Sequence, residues 1–158
     1  MSCIVATVAG ELGFDTGPFV TLAVFCDQAI EDKEGVLTLI RVVDQVTLRA
    51  SGEGAPSDLP PGQAINATLV VGLKAGKAKG RQTVQVTFEH PDGTRDAGPE
   101  LPVHFTGGDH QGANLIFKAS IVLSDAGIYW ADVSVNARLV TRTPLEVRYE
   151  VTPNIRAQ

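Results

Sequence analysis

Basic residues and aromatic residues are scarce in this chain, and apolar residues never form a long run. Lys and Arg number 13 against 18 Asp and Glu, which gives a formal net charge of −5 and a pI near 5.1. Nucleic-acid-binding domains carry a basic surplus, so we expect no nucleic-acid partner. No apolar run approaches the roughly 18 residues of a membrane-spanning helix, so we expect no membrane insertion.

Cysteine is rare as well, since the chain contains only Cys3 and Cys26. The apolar stretch near the N-terminus is short, and no Lys or Arg precedes it. It therefore lacks the pattern of a secretory signal, and we expect a cytoplasmic protein. In that compartment the two cysteines are expected to be free, buried thiols.

The length of 158 residues suits a single domain with its own core. We predict an N-terminal extension over residues 1–18, a β-sandwich domain over residues 19–152 and a tail over residues 153–158.

Short stretches in which apolar and polar residues alternate recur along the chain, and no helical periodicity accompanies them. The clearest stretches cover residues 65–73, 83–90, 115–123 and 145–151, with Gly- and Pro-rich turns between them. This pattern predicts an all-β fold, an antiparallel immunoglobulin-like β-sandwich of seven to eight strands. An up-and-down barrel is the alternative.

Two early strands have less regular patterns. Phe19 to Cys26 is predicted as a strand with Val20, Leu22, Val24 and Cys26 facing inward, followed by a polar turn over residues 27–35. Val36 to Leu48 is predicted as one longer strand. Its apolar residues change parity midway, and a bulge near residues 41–44 explains that change.

The residues Asp125, Gly127 and Tyr129 have the spacing of a tyrosine corner. In such a corner the tyrosine hydroxyl hydrogen-bonds a nearby backbone group and fixes the start of a late strand. Ala131 stands where a disulfide cysteine often follows, so we predict a sandwich without that disulfide.

Several segments together resemble a family of uncharacterised bacterial immunoglobulin-like proteins. They are Phe25-Cys-Asp27 leading into Gly35-Val-Leu-Thr-Leu39, then His90-Pro-Asp-Gly93, Gly127-Ile-Tyr129 and Thr143-Pro-Leu-Glu-Val147. The resemblance covers most of the chain from about residue 19 and implies a sandwich of bacterial, cytoplasmic origin. It implies no activity, and it assigns no functional residue.

The one cationic cluster comprises Lys74, Lys77, Lys79 and Arg81, which we assign to a hairpin loop. Interspersed glycines would allow backbone amides and ammonium groups to converge on an anion. This loop is our candidate site for a small ligand or an anion, against the alternative of a solvated surface loop.

Other chemistries have weaker support. His104 and His110, with Asp109, match no established zinc spacing, and the acidic run over residues 27–34 lacks the cadence of a calcium loop. Ser120 and Ser124 lie outside any Gly-x-Ser-x-Gly motif. We therefore predict no metal, no cofactor and no catalysis.

Trp130 is the only tryptophan, and alternation from Tyr129 puts it on the outer face of its strand with Asp132. We expect Arg148 of the final strand beside it. Either the chain itself covers the indole, or a second subunit does, since Trp and Arg are enriched in interface hot spots.

Taken together, the sequence predicts a non-catalytic sandwich protein that acts through protein–protein contacts, including self-association. Anion or small-ligand binding at residues 74–81 is the alternative function. An enzyme or a carbohydrate-binding module ranks third.

Overall fold

The computed structural model describes residues 16–152, which form nine β-strands and no helix. The strands are β1 (Phe19–Glu31), β2 (Leu37–Val43), β3 (Gln45–Ser51), β4 (Ala64–Lys74), β5 (Gly80–Glu89), β6 (Arg95–Phe105), β7 (Gly112–Val122), β8 (Gly127–Val135) and β9 (Arg138–Thr152). A four-stranded sheet has the order β2-β1-β4-β7, and a five-stranded sheet has the order β3-β9-β8-β5-β6. The all-β, two-sheet prediction is confirmed, but this part of the chain has nine strands where seven or eight were predicted. No membrane-spanning helix is found in residues 16–152.

The hydrophobic core lies between the two sheets, and the alternation predicted most of its residues correctly. Successive side chains of a strand point to opposite faces, so each strand contributes every second residue. The confirmed core residues include Ile65, Leu69, Val71, Leu73, Val84, Val86, Phe88, Leu115, Phe117, Ile121, Leu123, Tyr129, Ala131, Val133, Val135, Leu145 and Val147.

The face of β1 that enters the core was predicted wrongly. Phe25 joins the core at 2% exposure, whereas the prediction placed Leu22, Val24 and Cys26 inward. The register between β1 and β4 shifts between Val20 and Leu22. One extra residue at such a shift reverses the facing of every residue that follows.

The predicted long strand from Val36 to Leu48 is in fact two strands that belong to different sheets. β2 pairs antiparallel with β1, and β3 pairs parallel with β9. At the junction the N–H of Glu146 donates to the carbonyl of Asp44 at 2.8 Å. Val43 and Val46 then pack against the core from opposite sheets, which explains the change of parity without a bulge. The sandwich therefore contains one parallel pair where only antiparallel pairs were predicted.

The tyrosine corner is confirmed in its hydrogen bonds. The Tyr129 hydroxyl donates to the carbonyl of Asp125 at 2.8 Å. It accepts the N–H of Ser124 at 3.0 Å and that of Asp125 at 3.3 Å. Tyr129 is 1% exposed and is the third residue of β8, which lies between β5 and β9. One buried hydroxyl thus closes the turn that precedes a central strand.

We predict that Tyr129→Phe lowers the free energy of unfolding by about 1–3 kcal/mol, because it leaves two turn amides and a carbonyl without their partner. Tyr149→Phe is the matched control, since that hydroxyl makes a single hydrogen bond, to the Pro56 carbonyl at an exposed site. Urea midpoints of the parent and both variants measure the difference. Equal losses in the two variants would contradict a special role for the corner.

Candidate functional site

The outer face of the five-stranded sheet carries Trp130 and a network of four charged side chains. The guanidinium carbon of Arg142 lies 4.8 Å from the centroid of the indole ring. Nε of Arg142 donates to Oδ1 of Asp132 at 2.8 Å, and its Nη2 lies 3.3 Å from Oε1 of Glu89. Arg95 binds Glu89 and lies 3.6 Å from Oδ2 of Asp132, whose side chain is only 8% exposed. Two arginines therefore neutralise two carboxylates beside the half-buried tryptophan.

These ion pairs shift the acid–base equilibria of the network. The hydrogen bond from Arg95, with a second from Arg142, holds the pKa of Glu89 below its ordinary value of 4.5. The hydrogen bond to Asp132 raises the pKa of Arg142. Both groups are therefore ionised at neutral pH.

Arg148, which was predicted beside Trp130, lies elsewhere on β9. Its guanidinium binds the carboxylate of Glu146 at 2.9 and 3.0 Å. The register of β8 and β9 places Pro144 opposite Trp130 and Arg142 opposite Asp132. Arg142 rather than Arg148 therefore covers the indole.

The register that brings Arg142 to this position starts from a two-residue turn. Asn136 and Ala137 have φ values of 48° and 64°, as the tight hairpin turns of the I′ type require. A register shift between Val133 and Ser134 then moves the pairing on by one residue. Pairing residues outward from this turn would have predicted from the sequence that Arg142 lies near Trp130. It would not have predicted the register shift.

We predict that Trp130→Ala lowers the free energy of unfolding by about 1–2 kcal/mol, because it removes the ring beneath Arg142. The mass in solution should equal that of the parent protein if Arg142 supplies the cover. Trp130→Phe, which keeps an aromatic ring, should lose less. Chemical denaturation measures the stability, and light scattering measures the mass in solution. A change of mass with unchanged stability would assign the indole to a subunit interface.

A second prediction concerns the pH dependence of this network. A carboxylate whose folded pKa is lowered stabilises the protein above its unfolded pKa, and this contribution is lost as the pH falls through the folded value. The parent should therefore be more stable than Glu89→Gln above pH 4.5, with the difference shrinking at lower pH. Urea midpoints measured across the acidic range test this, and a difference that is independent of pH would contradict it.

The basic segment 74–81 connects the two sheets, so the prediction that it is a hairpin loop was wrong. The ammonium group of Lys74, at the end of β4, donates to the carbonyl of His110 at 3.2 Å. Lys77, Lys79 and Arg81 are exposed. The four cations therefore do not share one environment, because Lys74 is held by a neighbouring loop.

Backbone amides of the basic segment are also engaged. The N–H of Ala75 donates to the Gln111 carbonyl at 2.8 Å, and that of Gly76 donates to the Asp109 carbonyl at 3.0 Å. An anion site of the kind predicted needs free amides of this type. This arrangement favours a structural link to the loop around His110, and anion binding stays an untested prediction.

Ser124, His90 and Asp96 bring together the residue types of a nucleophilic triad. His90 Nδ1 lies 3.3 Å from Ser124 Oγ, and its Nε2 lies 2.7 Å from Asp96 Oδ2. The Tyr129 hydroxyl, however, accepts the N–H groups of Ser124 and Asp125, which are therefore not free to stabilise an oxyanion. We interpret these hydrogen bonds between Ser124, His90 and Asp96 as an extension of the tyrosine corner. The His90 ring packs edge-on against the Tyr129 ring, with 5.2 Å between the ring centroids.

An open cleft of about 290 Å³ lies beside His90 and Asp96, between β6 and β7. Lys118 and Ser120 are among its other lining residues. Ser124 is not among the residues that line this cleft.

The first hairpin extends further than predicted, because β1 continues to Glu31 and no polar turn begins at residue 27. Residues 27–42 are here called the arm. At its tip Oδ1 of Asp32 accepts the N–H groups of Glu34 and Val36, both at 2.9 Å. A carboxylate that binds its own backbone in this way closes the turn without a metal ion.

The arm folds back over the outer face of the four-stranded sheet. Leu22, Gly72 and Asn114 lie in one row across β1, β4 and β7. Glu31 follows Leu22 by nine residues, so a straight β1 would carry it about 30 Å from that row. The amide of Asn114 nevertheless donates to Oε1 of Glu31 at 3.0 Å and to the carbonyl of Gly35 at 3.1 Å. The tip of the arm therefore lies over β7.

The bend that turns the arm back lies where β1 leaves β4. The last pair between those strands is Cys26 with Thr68. The next residue, Asp27, forms an ion pair with Arg41 at 3.0 Å, and Arg41 has a left-handed φ of 51°. A left-handed conformation in a non-glycine residue changes the direction of the chain, which is consistent with a hinge here.

The face beneath the arm is apolar and largely buried around Val70. Val24, Val70 and Ile116 form a row on the side of the sheet away from the core, and Val70 is 0% exposed. Cys26 is a free thiol that is 3% exposed, and its burial raises its pKa. This confirms the prediction for Cys26, while Cys3 lies outside the described residues.

The outer side of the arm is unusually apolar for a solvent-exposed element. Ile30, Val36, Ile40 and Val42 are 45%, 57%, 40% and 59% exposed. They are four of the eight large hydrophobic side chains that are exposed in residues 16–152. The register of β1 with β2 puts Ile30 and Ile40 on one face of the hairpin. This concentration makes the arm the strongest candidate for a functional surface.

The acidic run contributes structure in the arm. Asp27 pairs with Arg41, Glu31 binds Asn114, and Asp32 closes the turn. Within residues 16–152, no group of three or more His, Cys, Asp or Glu side chains is placed to hold a metal ion.

Residues 21–148 match the family of unknown function DUF6941. The chain belongs to this family. This match confirms the prediction of an uncharacterised family, whereas the bacterial and immunoglobulin-like character of that family stays a prediction. The matched segment contains the arm, the corner and the network around Trp130. The search of curated proteins found no match for this DUF6941 chain.

Solved structures give distant likenesses only. A β-glucosidase from Kluyveromyces marxianus is 14% identical, with a TM-score of 0.45, over 55% of this chain and 14% of the enzyme. A β-glucosidase from Listeria innocua in complex with gluconolactone is 13% identical, with a TM-score of 0.46, over 69% of this chain and 15% of the enzyme. A CARDB domain from Pyrococcus furiosus in complex with di-metal ions is 12% identical, with a TM-score of 0.40, over 85% of this chain and 99% of that domain. At these values neither sugar binding nor metal binding carries over to the DUF6941 chain.

Proposed function

We propose that this protein is a non-catalytic binding module that acts through protein–protein contact at the outer side of the arm. The observation that carries the proposal is the concentration of exposed Ile30, Val36, Ile40 and Val42 on one hairpin. Large exposed apolar groups lose free energy when a partner removes them from water, at about 25 cal/mol per Å². They mark interaction surfaces when they cluster.

The arm also has the rigidity that a binding surface needs. Its tip is tied to Asn114, its turn is closed by Asp32, and its base carries the ion pair of Asp27 and Arg41. A surface already held in its bound conformation loses less entropy on association. The network around Trp130, in contrast, satisfies its charges within the chain.

We further propose that the protein is an immunoglobulin-like sandwich and that it works in the bacterial cytoplasm. The corner at Tyr129 supports the immunoglobulin-like assignment, and the free thiol of Cys26 supports a reducing compartment. Catalysis is disfavoured because Tyr129 occupies the amides beside Ser124. A carbohydrate-binding module is disfavoured because the large hydrophobic side chains exposed in residues 16–152 are all aliphatic.

The test uses Ile40→Glu, which places a charge on the outer side of the arm at a position already 40% exposed. Ile128→Glu is the matched control, since Ile128 is 48% exposed on β8 in the other sheet. We predict that Ile40→Glu weakens association with any bound protein at least tenfold, because a hot-spot residue contributes about 2 kcal/mol.

Affinity capture from the source cells identifies the bound protein, and titration with that purified protein measures the loss of affinity. The affinity of self-association is measured for the same variants. The control should bind like the parent. If Ile40→Glu and Ile128→Glu affect every association equally, the arm is not the contact surface and the proposal fails.

A further inference from the structure

The strand β2 forms one edge of the four-stranded sheet, and no other described strand pairs with its free side. Edge strands are ready templates for pairing with another chain unless proline or charge protects them. β2 contains neither Pro nor Gly, and its single charge, Arg41, is neutralised by Asp27 within the arm. Of its four exposed residues, Thr38, Ile40, Arg41 and Val42, two are aliphatic.

The other three edges are better protected. β6 contains Pro99 and Pro102, each of which lacks the N–H that a new strand would need. β7 presents the exposed Lys118. Arg49 of β3 is paired with Glu150 at 3.2 Å, as Arg41 is with Asp27, but the other exposed residues of β3, Gln45 and Ser51, are polar. The unprotected edge is therefore the one that also carries the apolar surface.

We infer that the β2 edge binds β2 of a second copy of this chain, in an antiparallel pairing about a two-fold axis at Ile40. The inference rests on the proposed function and names its partner. It pairs the two arms, so that the hairpins of β1 and β2 from both copies form one four-stranded layer.

Self-pairing requires that a strand be complementary to itself, because a two-fold interface uses the same residues on both sides. About Ile40, Leu37 would oppose Val43, Thr38 would oppose Val42, and Leu39 would oppose Arg41 of the other copy. Pairs of apolar and β-branched residues stabilise neighbouring strands, and no like charges oppose each other in this register.

The negative charge at the tip of the arm does not oppose a second copy in this orientation. The chain carries a net charge of −5, and Glu31, Asp32 and Glu34 concentrate negative charge at the tip. An antiparallel pair places the two tips at opposite ends of the shared strand pair. Their repulsion is therefore small at the separation that results, which exceeds the Debye length of about 8 Å.

Light scattering on the full chain tests the inference with a charge-swap pair, Ile40→Glu and Ile40→Lys. The parent should have twice the 16.7 kDa mass of one chain. Each variant alone should be monomeric, because the two-fold axis puts like charges together. An equimolar mixture should return to twice the chain mass, because each Glu then faces a Lys.

Ile128→Glu should stay dimeric as the matched control, and circular dichroism should show that all variants keep the β fold. A monomeric parent, a mixture that stays monomeric or a dimer that tolerates both charges would each overturn the inference. If the parent is monomeric but loses a different captured protein on Ile40→Glu, the proposed function stands and only the second copy is wrong. If no association of any kind depends on Ile40, both fail.

Discussion

The hydroxyl of Tyr129 is the interaction on which the late part of the fold depends. It serves one carbonyl and two N–H groups in the turn between β7 and β8. Ser124 in that turn contacts His90, which binds Asp96 on β6. Turns from both sheets are thereby tied together at one end of the sandwich. Because β8 lies between β5 and β9, its placement determines the registers on both sides, including the one that brings Arg142 over Trp130.

The arm adds a third layer to this two-sheet frame. A β-sheet with an apolar outer face needs cover, and the row around Val70 receives it from a hairpin that bends back on itself. The cover is held by a few polar contacts at Asn114 and at the bend. Covering one apolar face leaves another exposed, since aliphatic residues occupy both sides of the hairpin. The proposed function therefore uses the side that stays open.

The network around Trp130 and the outer side of the arm differ in how many of their groups have a partner within the chain. Around Trp130, opposite charges are balanced in number and joined by direct contacts, so the chain itself meets their electrostatic needs. On the arm, Ile40 and Val42 meet no comparable partner among the described residues, and β2 has a free edge. An unsatisfied strand edge beside exposed aliphatic groups is a stronger sign of association than a neutralised ion network.

Local pattern determined a large part of this protein. Alternation predicted the inward residues of β4, β5, β7 and β8, and three residues predicted the corner, because facing and turn geometry depend on neighbours in the chain. The change of parity among the apolar residues before Leu48 was visible in the sequence. A bulge within one strand and a passage of the chain from one sheet to the other explain it equally well. Only the tertiary structure decided that β3 pairs with β9, that Arg142 rather than Arg148 covers Trp130, and that the arm reaches Asn114. Those contacts join residues that are far apart in the sequence. Which of these residues meet depends on strand register and on bends in the strands, and the alternation of apolar and polar residues encodes neither.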